Sequence, residues 1–283
     1  MTRTTDISPL SVLLSRVDAV ADGAPPPSTV PTGFASLDKM LGGGLRRGDL
    51  VVIGGDTASG KSALALAFAI RMSLASARVL FLTGEMSAER VLERVIAIEA
   101  RTKIDDLRQG TLDDMARANA GSVALRLREN LPIVDRPPTG GVGAIASMLD
   151  GLPFTEIVFV DSLSATASGD ELLDEELARS VRDLKTLALE RGLVVVTTAT
   201  VRELGSRADR RPLLDDFGAR GAIKEHADVV MTLFREHMYQ PARDVEGATE
   251  LLIRKNRNGP TGYVDLYFYA QWMRFEDMLD PER

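Results

Sequence analysis

Five short apolar runs constrain this chain more than any other feature. They are LVVIGG (50–55), RVLFLTG (78–84), LPIVD (131–135), EIVFVD (156–161) and LVVVTT (193–198). Nearly every residue in them is apolar, rather than every second one, so each strand must be covered on both faces. Between them lie helical segments: SALALAFAIRMSLAS (62–76), SAERVLERVIAIEA (87–100) and DEELARSVRDLKTLALERG (174–192). Apolar strands interleaved with helices predict an α/β fold with a mostly parallel central sheet flanked by helices. The C-terminal part differs. ADVVMTLF (227–234), ATELLIRKN (248–256), GYVDLYFY (262–269) and WMRF (272–275) read as strands, and no helix separates the last three. NRNGPTG (256–262) supplies hairpin turn chemistry, so an antiparallel extension of the parallel sheet is expected. The 283 residues suffice for one large domain with a small appendage.

The appendage is N-terminal. In ISPLSVLLSRVDAVA (7–21), Leu10, Leu13, Leu14, Val17 and Val20 recur at helical spacing and form one apolar stripe. Ser8 suits the N-cap and Pro9 the first helical position. DGAPPPSTVPTG (22–33) cannot continue the helix and reads as a linker. Residues 1–32 are therefore assigned to a linker helix with its Pro-rich tail, and 33–283 to the main domain. The stripe needs a covering surface, either the chain's own body or a neighbouring subunit.

Composition narrows the chemistry. The chain has no cysteine and two histidines, His226 and His237, which excludes thiolate-held metals and disulfides. No run of about 18 apolar residues is present, and MTRTTDISPL lacks a signal-peptide core, so a cytoplasmic protein without a membrane partner is expected. The net charge of −7 argues against a broadly basic nucleic-acid binder, but not against a local cationic patch.

Gly55-Asp56-Thr57-Ala58-Ser59-Gly60-Lys61-Ser62 matches the phosphate-loop pattern G-x-x-x-x-G-K-[ST], after a buried strand and, with Ala63, opening a helix. Its glycines let backbone N–H groups turn inward around an anion, and the helix N-terminus adds partial positive charge. The expected cofactors are ATP and Mg²⁺, with Lys61 reaching the β- and γ-phosphates and Ser62 ligating the metal. Ligands of an open α/β sheet sit at the carboxyl ends of its strands. Asp161 ends EIVFVD there and is the second metal-site candidate. Glu85, at the end of the adjacent RVLFLTG strand, is the candidate to orient and polarise the attacking water; its alternative role is to cap the following helix.

PTGFASLDKMLGGGLRRGDLVVIGG (31–55), the phosphate loop, GEMSAERVLERV (84–95), IVFVDSLSAT (157–166) and RKNRNGPTGYVDLYFYAQWMRF (254–275) together resemble the RecA-like C-terminal motor domain of DnaB-type replicative helicases. The resemblance runs from about residue 29 to the end, and K-x-R-N-G-P (255–260) with its aromatic-Arg-Phe ending is its most specific part. It implies a RecA-like P-loop ATPase working as a homo-oligomer, a hexameric ring on single-stranded DNA, without the family's separate N-terminal collar. It also implies that the N-terminal helix docks on the adjacent motor domain, and that Lys255 and Arg257 reach toward the neighbour's γ-phosphate. Residues two apart on a strand share a face, which agrees with that pairing; a charged guard on a solvated strand is the alternative.

The chain departs from the family at two informative places. Ala199 stands where a γ-phosphate-sensing glutamine is usual, with Thr198 and Thr200 beside it. Gly218 and Ala219 stand where the DNA loop carries an Arg-Glu pair. Arg207, Arg220, Gly221 and Lys224 remain as DNA-phosphate candidates, within a loop that also carries Arg202, Arg210 and Arg211. Two functions fit: an ATP-driven motor on single-stranded DNA, or a RecA-like ATPase whose nucleotide switches assembly or partner binding.

Overall fold

The computed structural model describes residues 8–23, 29–167, 173–202, 204, 207–241 and 245–278. Part of the expected Pro-rich linker, residues 24–28, lies outside the described residues. Helix α1 (Pro9–Ala21) starts as its cap signals require, with the Leu10 amide donating to Ser8 Oγ at 3.3 Å. Its stripe stays open in the single chain: Leu10 is 62%, Leu14 54% and Val17 56% exposed. The stripe therefore does not fold back onto its own described body.

The body begins slightly before the expected boundary at residue 33. Strand β1 (Thr29–Val30) pairs with β2 (Leu45–Arg46) across helix α2 (Ala35–Met40). The Asp38 carboxylate accepts hydrogen bonds from the Thr32 and Gly33 amides, at 2.7 and 3.1 Å, and closes that turn. The chain then alternates through β3 (Leu50–Gly55), α3 (Lys61–Leu74), β4 (Val79–Thr83), α4 (Ala88–Ala100), α5 (Ile104–Gln109), α6 (Asp114–Leu127), β5 (Ile133–Asp135), α7 (Gly141–Asp150), β6 (Ile157–Asp161), α8 (Leu173–Arg191), β7 (Val194–Thr200), α9 (Ala222–His226) and β8 (Val229–Phe234). It ends in β9 (Ala248–Asn256), β10 (Gly262–Tyr269) and β11 (Arg274–Asp277). Helices α5 to α7 add to the helices expected from the sequence. On α6 only Ala120, Val123 and Leu127 are buried, and the helix is set mainly by its cap, where Asp113 accepts from the Ala116 amide at 2.7 Å.

Among the described residues the main sheet has nine strands in the order β11-β10-β9-β8-β3-β7-β6-β4-β5. From β8 to β5 all pairings are parallel, and β9, β10 and β11 extend the sheet antiparallel, as expected. Strand β9 lies between β8 and β10, so β11 forms the edge rather than the hairpin that carries Lys255. Alternation along each strand divides the core in two. Val51, Ile53, Phe81 and Phe159 face α3 and α4, while Leu50, Val52, Leu80 and Val158 face α7 and α8. Each such side chain contributes about 1.5–3 kcal/mol on burial.

A charged cluster sits at the amino end of the central strands. Asp228 Oδ2 accepts from the Leu50 amide at 2.8 Å and from Lys185 Nζ at 2.6 Å. Lys185 also donates to the Gly48 carbonyl at 2.7 Å. Beside it, burial and the Asp228 charge push the Asp49 carboxyl up to about 6, although a hydrogen bond from Asn258 and the charge of Lys185 oppose the shift. A raised carboxyl pKa means that the folded state holds the proton more tightly than the unfolded chain. The Asp49 contribution is therefore favourable at low pH and declines as pH rises between 3.8 and about 6. Asp49→Asn keeps an acceptor for Asn258 and removes the charge. Its Tm should exceed that of the wild type at pH 7.5, with the gap narrowing as pH falls below about 6 and closing only below 3.8. A pH-independent difference in thermal unfolding would contradict this account of Asp49.

Candidate functional site

The phosphate loop leaves β3 at its carboxyl end and enters α3 at Gly60. Ala58 and Gly60 both hold positive φ, 62° and 103°, so the backbone turns back on itself and faces its amides inward. Lys61 Nζ donates to the Gly55 and Asp56 carbonyls at 3.1 and 2.7 Å, arching across the loop. Burial lowers its pKa, and the charges of Asp56, Asp161 and Glu85 oppose that shift. Tyr239, stacked on Phe234, donates to Asp56 Oδ2 at 3.0 Å and braces the loop from the turn after β8; burial and this bond raise its own pKa to about 12.

Asp161 ends β6 inside the same cleft, as its sequence position requires. Its Oδ1 accepts from Ser62 Oγ at 2.9 Å and from Thr198 Oγ1 at 2.6 Å. Its Oδ2 is buried without a hydrogen-bond partner. Desolvation raises the carboxyl's pKa, and the Thr198 and Ser62 hydroxyls pull against that rise. A buried carboxylate oxygen without a donor, next to a serine hydroxyl, is a donor set that fits a hard divalent cation. No group of three or more His, Cys, Asp or Glu able to hold a metal occurs among the described residues, so further ligands would come from phosphate and water.

Glu85 lines this cleft and receives the Ser162 hydroxyl at 3.5 Å. The helix-capping alternative falls to Ser87, whose Oγ accepts from the Arg90 amide at 3.4 Å. The cleft holds about 520 Å³ and is lined by Thr57, Ala58, Gly60, Lys61, Ser62, Ala63, Glu85, Arg94, Ile104, Ser162, Thr198, Thr200, Phe268, Ala270 and Met273. Arg94 is an addition that sequence reading missed. It is half-buried, feels the charges of Asp161 and Glu85, and its Nε is buried without a partner. The sequence shows several charged residues on this helix; only the fold turns this one into the cleft.

Thr198 and Thr200 face the cleft, while Ala199 faces the opposite side of β7. There, Ala199 and Ala219 line one hollow of about 320 Å³ together with Ser164, Asp174, Arg202 and Gly218. The two places where the chain departs from the family pattern thus meet in space. Thr198 is already engaged with Asp161, which leaves Thr200 as the second cleft hydroxyl.

The loop between β7 and α9 carries its cations paired. Arg202 bonds Asp174, and Arg207 holds Asp216 at 2.9 and 2.7 Å. Arg211 holds Glu250, Arg220 bonds Glu175, and Lys224 bonds Asp215 at 2.6 Å. Ala219 and Arg220 adopt positive φ (56° and 48°), as does Gly221, and the Ala219 amide donates to Asp174 Oδ1 at 3.1 Å. Of the DNA-phosphate candidates, Arg220, Gly221 and Lys224 are clustered here. Arg207 also ties its own loop together through the Asp209 and Arg211 carbonyls.

Lys255 and Arg257 do share a side, because both donate to the Glu225 carbonyl, at 3.2 and 2.5 Å. Neither lines the cleft around Lys61. Lys255 opposes Val230 near the start of β8, and the neighbouring Val229 pairs with Val51, whereas the phosphate loop begins after Gly55. Four residues of strand separate Val51 from Gly55, about 13 Å. The cationic pair thus stands at the end of the sheet opposite its own phosphate loop.

The sequence profile of the DnaB-like helicase C terminal domain matches residues 29–277. The replicative DNA helicase DnaB of Leifsonia xyli subsp. xyli is 31% identical over 256 residues, covering 88% of this chain and 56% of that protein. The replicative DNA helicase DnaB of Haemophilus influenzae is 32% identical over 262 residues, covering 89% and 56%. The chain thus spans little more than half the length of these curated relatives. Among solved structures, one of an isolated ATPase domain superposes with a TM-score of 0.86 at 25% identity, over 94% of this chain and 97% of that one. A DnaB-like replicative helicase studied for its interactions with primase gives 0.85 at 24% identity, over 94% and 65%.

A loop of inward amides with one desolvated ammonium should take up a polyphosphate together with a divalent cation. Adding Mg²⁺ and ATP at about 100 times Kd should stabilise the fold by about 2.7 kcal/mol and raise Tm by several degrees. Lys61→Ala should remove the shift while leaving the ligand-free Tm within a few degrees. Scanning fluorimetry reads both, and an undiminished shift in Lys61→Ala would refute the assignment.

Proposed function

The chain belongs to the DnaB-like helicase C terminal domain family, and on that premise we propose that it is an ATP-dependent, helicase-type motor acting on single-stranded DNA as a ring-shaped homo-oligomer, a hexamer by family resemblance. The observation that carries the proposal is the separation of Lys255 and Arg257 from their own phosphate loop. Two cations held together at the far end of the sheet can complete only another copy's site.

In this reading the amides of Gly55 to Ala63 cradle the phosphates, with Lys61 against the β- and γ-oxygens. Ser62 and Asp161 hold Mg²⁺, which supplies charge neutralisation to the phosphates when bound. Glu85 orients and polarises the attacking water, with Ser162 and Arg94 beside it. Lys255 and Arg257 of the adjoining copy stabilise the charge that develops on the transferred phosphoryl oxygens. Arg207, Arg220, Gly221 and Lys224 face the DNA backbone, and six copies of the loop around a pore would concentrate cations despite the net negative charge. Helix α1 keeps its open stripe for the body of the adjacent copy and so acts as a docking arm.

A second reading rests on the hollow beside Ala199 and Ala219 and on the pairing of the loop cations with carboxylates. There, nucleotide governs assembly or partner binding and DNA coupling is lost. No described helix is long and apolar enough to cross a membrane, and neither reading needs one.

The two readings separate on one measurement, the ATPase rate with and without single-stranded DNA at low salt. The motor predicts stimulation of several-fold, weakening as salt rises; a flat response supports the switch. The shared site is tested by mixing. Arg257→Ala and Lys61→Ala proteins, each inactive alone, should regain part of the ATPase activity when mixed, since one supplies the phosphate loop and the other the cation. Mixtures as inactive as their components would argue that each copy hydrolyses alone.

A further inference from the structure

We propose that Asp228, with Asp49 and Asn258, positions the trans-acting pair Lys255 and Arg257, and so ties the cations a copy offers its neighbour to the strand that carries its own phosphate loop. The inference rests on the shared site proposed above and adds residues that do not touch the nucleotide.

The geometry converges on one buried carboxylate. Asp228 is only 5% exposed. Its Oδ2 is fully used by the Leu50 amide and Lys185 Nζ, at 2.8 and 2.6 Å, while Oδ1 faces Arg257 Nε at 3.8 Å. The same residue holds Arg257 a second way, because its carbonyl accepts from the Arg257 amide at 2.9 Å. One residue on, Asn258 Nδ2 donates to Asp49 Oδ2 at 2.7 Å, and the Asn258 amide donates to Asn256 Oδ1 at 3.0 Å. The turn bearing the cations is thus pinned at residues 257 and 258 to the two residues that flank the start of β3 and β8.

The electrostatics give this pinning a purpose. Lys255 and Arg257 repel each other, and Lys255 has its pKa lowered by burial first and by Arg257 second. The charges of Asp228 and Glu225 counter that repulsion. Without the Asp228 charge, the Arg257 guanidinium would keep the Glu225 carbonyl to hold it toward the outer end of the hairpin. At its other end Asp228 fixes the first amide of β3, whose carboxyl end becomes the phosphate loop.

The test is Asp228→Asn, which keeps size and one acceptor oxygen but removes the charge. In the assembled full-length chain, kcat for ATP should fall by about 10- to 100-fold, the scale expected from misplacing a reacting group by about an ångström. Affinity for a non-hydrolysable ATP analogue with Mg²⁺ should stay within about twofold, because the variant's own loop is intact. Mixing assigns the defect to a half-site. Asp228→Asn with Lys61→Ala should regain activity as Arg257→Ala with Lys61→Ala does, while Asp228→Asn with Arg257→Ala should regain none. Asn258→Ala, at the part-buried turn, should show the same pattern more weakly and serves if Asp228→Asn does not fold. The inference is overturned if analogue affinity falls in step with kcat, or if Asp228→Asn with Lys61→Ala stays inactive while Arg257→Ala with Lys61→Ala recovers. If that reference mixture also stays inactive, the shared site itself is wrong and this inference falls with it.

Discussion

The hydrogen bond from the Leu50 amide to the buried Asp228 carboxylate sets the position of β3, and the cleft hangs from β3. The strand lies between β7 and β8 and is buried along its whole length. Its side chains divide between the two core layers, so it cannot slide without exposing one of them. What remains adjustable is its ends. The amino end is fixed by a carboxylate that Lys185 neutralises, and the carboxyl end opens into a loop of backbone amides. Even there the loop is constrained: a Cβ on Gly54 would lie 2.1 Å from the Phe217 ring, so a residue of the cationic loop packs directly on the strand that feeds the phosphate site.

Around the phosphate loop the charges are arranged for a ligand that brings its own. Two cations, Lys61 and Arg94, face the carboxylates of Asp56, Asp161 and Glu85, and burial works against the charged form of Lys61, Arg94 and Asp161. Such a cluster is uncomfortable when empty of ligand, since desolvated charges need close partners. A phosphate chain would supply anions for the lysine and arginine, and a divalent cation would supply the partner that Asp161 Oδ2 lacks. Thr198 also steadies the Asp161 carboxylate, by donating at 2.6 Å to the oxygen that Ser62 engages.

The cationic loop follows a different logic. Its arginines and Lys224 are matched by acidic residues, two of them, Asp174 and Glu175, in the first turn of α8. Exposed pairs of this kind are worth little individually, so a phosphate backbone can exchange with them at small cost. The pairing also reconciles a net charge of −7 with a basic loop, because the acidic residues are distributed where they hold the loop's shape.

Much of this was legible in the linear sequence. Runs such as LVVIGG and EIVFVD are apolar at nearly every position, which demands cover on both faces and so a parallel sheet between helices. The phosphate loop, Asp161 and Glu85 were readable because their chemistry lies in consecutive residues or at strand ends, where local order sets direction. Helices α5 to α7 were not: α5 buries no side chain, α6 rests on its Asp113 cap, and α7 opens on glycines without a side-chain cap. Arg94, Thr198 and Tyr239 were not, because their partners lie far away in the chain. The sequence by itself determined the alternation of strands and helices, the phosphate loop and the shared face of Lys255 and Arg257, since these follow from periodicity and local turn chemistry; their reach toward a neighbour is what the family resemblance implies. Only the tertiary structure decided that the pair stands at the opposite end from its own loop, with Arg257 against Asp228 and Asn258 bonded to Asp49, because strand order and direction are set by long-range packing that adjacent residues do not encode.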